Sequence, residues 1–131
     1  MIRQDYLLRL IEQLGVFFRR ALANESSTSS EALASQLDQL TDEVIGLPGE
    51  LILSLPVEEL VSLFELSDRM VNEKCFLAGE INRIRAQLET QPVEQAIHKD
   101  RAIFFFSMVL PHLSGELKDQ TNNKLDALNS D

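Results

Sequence analysis

The apolar residues of this chain recur at steps of three and four, and no stretch of a strand's length alternates apolar and polar residues. Steps of three and four place side chains along one face of a helix with 3.6 residues per turn, whereas a strand face needs a period of two. The pattern therefore predicts an all-α fold of about six helices. We expect these helices over about residues 2–23, 30–45, 56–67, 71–89, 93–110 and 116–128.

The chain is expected to form a single helical domain over residues 1–131, because this length and a hydrophobic content of 44% suit one core. A long amphipathic first helix occupies residues 1–23. The polar run NESSTSS at residues 24–30 is typical of an exposed linker, and a helical body follows over residues 31–128. The short apolar run at 50–55 is expected to be a helical turn, since the sequence offers no second strand to pair with it.

The charge and the apolar runs exclude several partners. Twenty-one acids against 12 bases give a formal charge of −9, which disfavours DNA or RNA because binding them requires phosphates to be neutralised. No run approaches the roughly 18 apolar residues that span a bilayer, and charged residues interrupt the start where a secretory segment would lie. A lone Cys provides no internal disulfide. We therefore expect a cytoplasmic protein with no membrane span.

No catalytic or cofactor fingerprint is present, so we expect neither an enzyme nor a bound cofactor or metal. Cys75 shares a helix face with Ala78 and Gly79, which indicates a small buried residue rather than a nucleophile. His98 and His112 lie 14 residues apart with a proline between them, so they cannot form a metal-binding pair on one helical turn.

Arg3 and Asp100 both project toward apolar faces of their predicted helices. A buried carboxylate requires a partner, so an Arg3–Asp100 ion pair would satisfy both residues. The alternative is that each side chain extends to water from the edge of the core, and we favour this second interpretation.

The first helix is the candidate interface of a predicted homodimer. Ile2, Leu8 and Val16 lie outside its main apolar stripe and would be exposed if one side alone were covered. Its Arg9 and Arg20 could meet the acidic segment 25–68 of a partner, which holds ten acids and no base. The alternative is a monomer in which later helices cover both sides of the first.

Phe104, Phe105 and Phe106 cover several sides of their predicted helix, which we therefore expect in the middle of the fold, with Phe104, Phe105 and Met108 in the core. The function that these patterns favour is a helical protein–protein interaction or scaffold module. The alternative is a small-molecule-binding protein or enzyme with an apolar pocket beside Phe104–Phe106 and a polar group from Asp100, His98 or Arg101. A sealed core around the phenylalanines would favour the module.

The opening MIRQDYLLRLIEQ resembles the start of an uncharacterised family of small bacterial helical proteins related to tetratricopeptide folds. The segments LPVEEL at 55–60 and EK to GEI at 73–81 are similar as well. The resemblance implies a helical-hairpin scaffold with a long amphipathic first helix, and it implies no activity. If Gly79 took the early glycine of a tetratricopeptide unit, Gln91 and His98 would stand where alanine is expected, so we expect at most one degenerate hairpin of this type.

Overall fold

The computed structural model of the chain describes residues 4–23, 45–47, 49–66 and 70–130, together with residues 35, 39 and 42. The side chains at positions 4, 6, 17, 18 and 20–23 lie outside this description. Arg3 and the predicted linker 24–30 also lie outside it. The predicted helix over 30–45 is described at residues 35, 39, 42 and 45, and each of these four is helical.

The described residues form helices and no strand, which confirms the all-α prediction. Among the described residues, six α-helices have defined bounds: α1 (Gln4–Ala23), α2 (Gly49–Ser54), α3 (Val57–Leu66), α4 (Val71–Leu88), α5 (Pro92–Val109) and α6 (Gly115–Asn129), with a 3₁₀ turn (Leu110–His112) between α5 and α6. The run at 50–55 is helical as predicted. Gly46, with a φ of 85°, donates its N–H to the carbonyl of Asp42 at 2.9 Å, a glycine-dependent helix end.

One hydrophobic cluster draws residues from all six helices. Leu7, Leu10 and Leu14 bring the apolar stripe of α1 into it. Ile52 of α2 also joins the cluster, and Leu60, Val61 and Phe64 of α3 add the apolar stripe of that helix. These residues are buried because steps of three and four place them on one side of each helix.

The central helix is α4 rather than α5, which corrects the prediction that the phenylalanine-rich helix occupies the middle. Eleven of the 18 residues of α4 are buried, including the polar Glu73, Glu80 and Asn82, whereas five residues of α5 are buried. Helices α1, α3 and α5 all contact α4. The central position of α4 was not predicted from the sequence because its buried polar residues lower the apolar content of the helix.

Helices α4 and α5 form a tight antiparallel hairpin. The side-chain amide of Gln95 donates to the carbonyl of Ala86 at 3.1 Å, and a Cβ added at Gly79 would lie 3.0 Å from the ring of Phe106. Contacts that pair later residues of α5 with earlier residues of α4 establish the antiparallel direction. The small residues predicted on one face of α4 therefore lie where its neighbour approaches most closely.

The inward face of α5 differs from the prediction. Phe105 and Phe106 are fully buried, but Phe104 is partly buried and Met108 is 39% exposed, so the core prediction is wrong for Met108. Asp100 is exposed, which contradicts a buried Arg3–Asp100 pair. The physical reason is that α5 turns Ala102 and the two buried phenylalanines toward the small residues of α4, which allows the close approach of the two backbones.

Candidate functional site

One side of α5 carries an apolar stripe that is exposed at three of its four positions. Val93 is 71% exposed, Ile97 is 44% exposed and Met108 is 39% exposed, whereas Phe104 is partly buried and packs against the core cluster. At 100° per residue these four side chains fall within about 60° of one another and extend over about 22 Å of helix. We call this stripe, together with Asp100 on the same side, the outer face of α5. An exposed apolar patch of this kind is typical of an interaction site.

The order of residues along the outer face is symmetric about its centre. Val93 and Met108 lie at equal distances in sequence from the midpoint between residues 100 and 101, and Ile97 and Phe104 do the same. When two copies of a helix pack antiparallel, the numbers of the two residues in each contacting pair add up to the same value. The pairs Val93 with Met108 and Ile97 with Phe104 meet this condition. An antiparallel pairing of two copies about this centre would therefore place these apolar residues opposite one another.

The described side chains of α1 place two of the predicted interface residues at the surface and one against the core. Val16 is 39% exposed and Arg9 is exposed, as an interface requires. Leu8, in contrast, is partly buried and packs against the core cluster, because this side of α1 is covered by its own chain. Ile2 and the side chain of Arg20 lie outside the described residues.

A polar cluster beside the outer face joins α5 to α4 and α2. Asn82 is fully buried, and its amide nitrogen donates to the carbonyl of Ala78 at 2.8 Å. Its oxygen accepts from Arg101 Nε at 3.2 Å and lies 3.0 Å from His98 Nδ1. Arg101 also donates to the carbonyls of Ile52 and Leu55, at 2.5 and 2.6 Å. The guanidinium thus holds the end of α2, whose last carbonyls have no partner within the helix.

The hydrogen bonds of this cluster fix the state of His98. Because Asn82 presents an oxygen, the ring must donate from Nδ1, which leaves Nε2 as the acceptor in the neutral form. Burial lowers the pKa of His98, and the positive charges of Arg85 and Arg101 lower it further. Burial also lowers the pKa of Arg101. The cluster therefore holds α5 in its orientation, and the lowered pKa favours the neutral form of His98.

A second polar cluster fixes α6 on the α4–α5 hairpin. The carboxylate of Glu80 is buried and accepts from Arg83 Nε at 2.6 Å, while Lys124 of α6 makes an ion pair with its other oxygen. The Lys124 ammonium also lies 5.7 Å from the ring centre of Phe76 and 6.0 Å from that of Phe106. Arg83 and Lys124 compensate the buried charge of Glu80, because a buried carboxylate without a positive partner would lower the stability of the fold.

The predicted apolar pocket beside Phe104–Phe106 can be compared with two surface grooves that lie beside α5. Phe105 and Phe106 are fully buried, and neither of two surface grooves beside α5 is lined by Phe104, Phe105 or Phe106. Of the alternative polar groups, Asp100 lines the smaller groove, and His98 and Arg101 line neither. Phe105 and Phe106 are thus sealed in the core, whereas Phe104 is partly buried.

The remaining sequence candidates, Cys75, His98 and His112, differ in burial. Cys75 is buried as predicted, and burial together with the charge of Glu65 raises the pKa of its thiol to about 12. His98 is buried and His112 is exposed. Within the described ranges, no three His, Cys, Asp or Glu side chains are grouped so that they could hold a metal ion.

No protein-family model, curated protein or solved structure matches the chain. The resemblance of its opening residues to a tetratricopeptide-related family therefore stays a prediction. None of the described helices combines the length and apolar character that crossing a bilayer requires.

Proposed function

We propose that this protein is a helical protein–protein interaction module that forms a homodimer through the outer face of α5. The observation that carries the proposal is the exposed and self-complementary apolar stripe on a helix whose opposite side is fixed in the core. Exposed apolar area gains free energy when it is removed from water, at about 25 cal/mol per Å².

The proposed partner is a second copy that approaches antiparallel about a two-fold axis. The axis crosses α5 between residues 100 and 101. Val93 then lies opposite the partner's Met108, and Ile97 lies opposite the partner's Phe104. Each apolar side chain meets another, and a closed two-fold contact uses the same surface on both copies.

The charges set the strength of this dimer. Each copy carries −9, and the two Asp100 carboxylates approach one another near the axis, so electrostatic repulsion opposes association. One helix face is also smaller than a standard interface of about 800 Å² per partner. We therefore expect a dissociation constant on the order of micromolar, and we expect added salt to strengthen the dimer.

The first helix remains the competing surface for the predicted homodimer. Val16 supports it as an exposed apolar residue, but Leu8 packs against the core.

The proposal also includes the tetratricopeptide-like arrangement and the cellular location expected from the sequence. The α4–α5 hairpin is the segment that fits a degenerate tetratricopeptide-like unit, and the lone buried Cys75 suits a reducing, cytoplasmic location.

Light scattering coupled to size exclusion tests the proposal on two matched variants. Ile97 and Val16 are similarly exposed, at 44% and 39%, so a change of each to glutamate adds the same charge at a comparable site. We expect the wild-type mass to rise with concentration from 14.8 kDa toward twice that value. Ile97→Glu should stay monomeric, and Val16→Glu should dimerise as the wild type does.

Two outcomes would contradict the proposal. A wild-type mass of 14.8 kDa up to concentrations of about 1 mM would exclude self-association of useful strength. A dimer that survives Ile97→Glu and is lost in Val16→Glu would move the interface to the first helix. Circular dichroism of both variants establishes that neither change unfolds the chain.

A further inference from the structure

A groove of about 400 Å³ lies between α4, α5 and α6. Its polar wall consists of three cations and three carboxamides: Arg83, Lys99, Lys124, Gln87, Gln95 and Asn123. Leu128 and two alanines form its apolar wall, and no carboxylate of the described residues lines it. This composition is unusual in a chain with a net charge of −9, and we call the feature the α4–α6 groove.

The cations of the groove exceed the acid beneath them. Glu80 is buried and pairs with both Arg83 and Lys124, so these three groups together carry one positive charge. Lys99 makes no ion pair with any residue in the described ranges and adds a second positive charge. The α4–α6 groove therefore presents a net charge of +2.

Hydrogen-bond donors remain available for a ligand. Arg83 directs its Nε and one terminal nitrogen to Glu80, which leaves the other terminal nitrogen for a further partner. Gln95 uses one N–H on the carbonyl of Ala86. Gln87 and Asn123 are exposed at the rim. Charged and amide donors of this kind are the usual ligands of phosphate oxygens.

The adjoining smaller groove locates the anion-binding end. The two grooves share Gln95, Lys99 and Leu128, but the smaller one also contains the exposed Asp100. A carboxylate repels an anion, so the favourable position lies away from Asp100, between Lys99 and the pair of Arg83 and Lys124.

We propose that the α4–α6 groove binds a small molecule that carries a phosphate monoester and a short apolar group. A phosphate monoester carries about −1.5 to −2 charges at neutral pH, which matches the +2 of the groove. The apolar group lies against Leu128. The volume falls within the range of small-ligand sites, about 300 to 1,000 Å³.

Titration of the ¹⁵N-labelled protein with phenyl phosphate, followed by NMR, tests this site. We expect saturable shifts of the side-chain amides of Gln95 and Asn123. Inorganic phosphate and benzoate should bind more weakly, because the first lacks the apolar group and the second carries a single charge. Lys99→Gln should weaken phenyl phosphate about tenfold or more, as expected for the loss of one charge-assisted hydrogen bond.

Lys118→Gln is the matched control, because Lys118 is exposed on α6, lies outside the groove and makes the same change in net charge. It should leave the affinity unchanged. Equal weakening in both variants, or no shift of the groove amides, would overturn the site. If benzoate binds as tightly as phenyl phosphate, the preference for a phosphate monoester is wrong. If inorganic phosphate binds as tightly as phenyl phosphate, the contribution of the apolar group is wrong. Ile97→Glu should retain binding, which separates this site from the proposed dimer.

Discussion

Gly79→Ala is a sensitive probe of the α4–α5 contact. The added methyl carbon would lie 3.0 Å from two ring atoms of Phe106 and 3.1 Å from the Cβ of Phe105. Phe106 cannot turn away, since it is fully buried and packs edge-on against Phe76 with ring centres 5.4 Å apart. The Cβ of Phe105 moves only with its backbone. The methyl group must therefore push the two helices apart.

The expected magnitude follows from two opposing effects. Overpacking of a filled core costs about 1 to 3 kcal/mol, and the rigid neighbours place this site at the upper end. Alanine gains about 1 kcal/mol over glycine in a helix interior. The free energy of unfolding should therefore fall by about 1 to 2 kcal/mol.

Gly15→Ala is the matched control on α1. There the added methyl would meet an exposed Arg19 side-chain nitrogen at 3.6 Å, an ordinary contact with a flexible group. The helix-propensity gain is then not opposed, and stability should rise by about 0.5 to 1 kcal/mol. Urea unfolding followed by circular dichroism at 222 nm measures both variants.

A Gly79→Ala variant as stable as the wild type would refute the argument that α4 and α5 are in tight contact at this position. A double-mutant cycle with Phe106→Leu identifies the cause. If the ring is the obstacle, Gly79→Ala should cost less in the Phe106→Leu background than alone.

Three further outcomes are expected. Because the pKa of His98 is lowered from 6.5 in the folded state, the unfolded chain binds its proton first as the pH falls. Stability should therefore decline as the pH drops through 6.5 and below, by less in His98→Gln than in His112→Gln, as measured by urea unfolding at several pH values. Phe106→Ala should cost about 3 to 5 kcal/mol and Phe104→Ala clearly less in the same assay, because Phe106 alone of the two is fully buried. The Cys75 thiol should react with a thiol reagent only on unfolding, since its pKa is about 12, and rapid reaction of the native protein would contradict its burial.

The helices themselves were predictable because their signals are local. Apolar spacing predicted a helix over 93–110, and the structure has Pro92–Val109. The inward face of this helix was not predictable in the same way. His98 and Arg101 face inward because both contact Asn82, and Arg101 also donates to two carbonyls of the α2 segment. Asn82 lies 16 and 19 positions from them in sequence, and the two carbonyls lie 46 and 49 positions from Arg101. No local pattern reveals such partners.

The candidate sites show the same limit. Apolar spacing predicts an inward position for the side of α5 that includes Asp100, but Val93 and Ile97 on that side are exposed. The sequence does not distinguish Glu80 from the exposed acids of the chain, because its burial depends on Lys124, which lies 44 residues away. Its pairing with Arg83 was local, at i and i+3, and was the one signal that could have marked this cluster.

Disulfide trapping tests the proposed antiparallel dimer most directly. Near the two-fold axis, a cysteine at position 100 lies close to its own copy, within reach of a disulfide whose Cα atoms are about 4.4 to 6.8 Å apart. A cysteine at position 93 lies about 22 Å from its copy in the antiparallel arrangement. The native Cys75 is buried and stays out of the reaction.

Under mild oxidation, measured by intact mass and non-reducing gels, we predict that Asp100→Cys forms a covalent dimer and Val93→Cys does not. Formation of the link with similar yield at both positions would contradict the antiparallel pairing. A chain that links at neither position while light scattering shows a dimer would place the interface elsewhere than the outer face of α5.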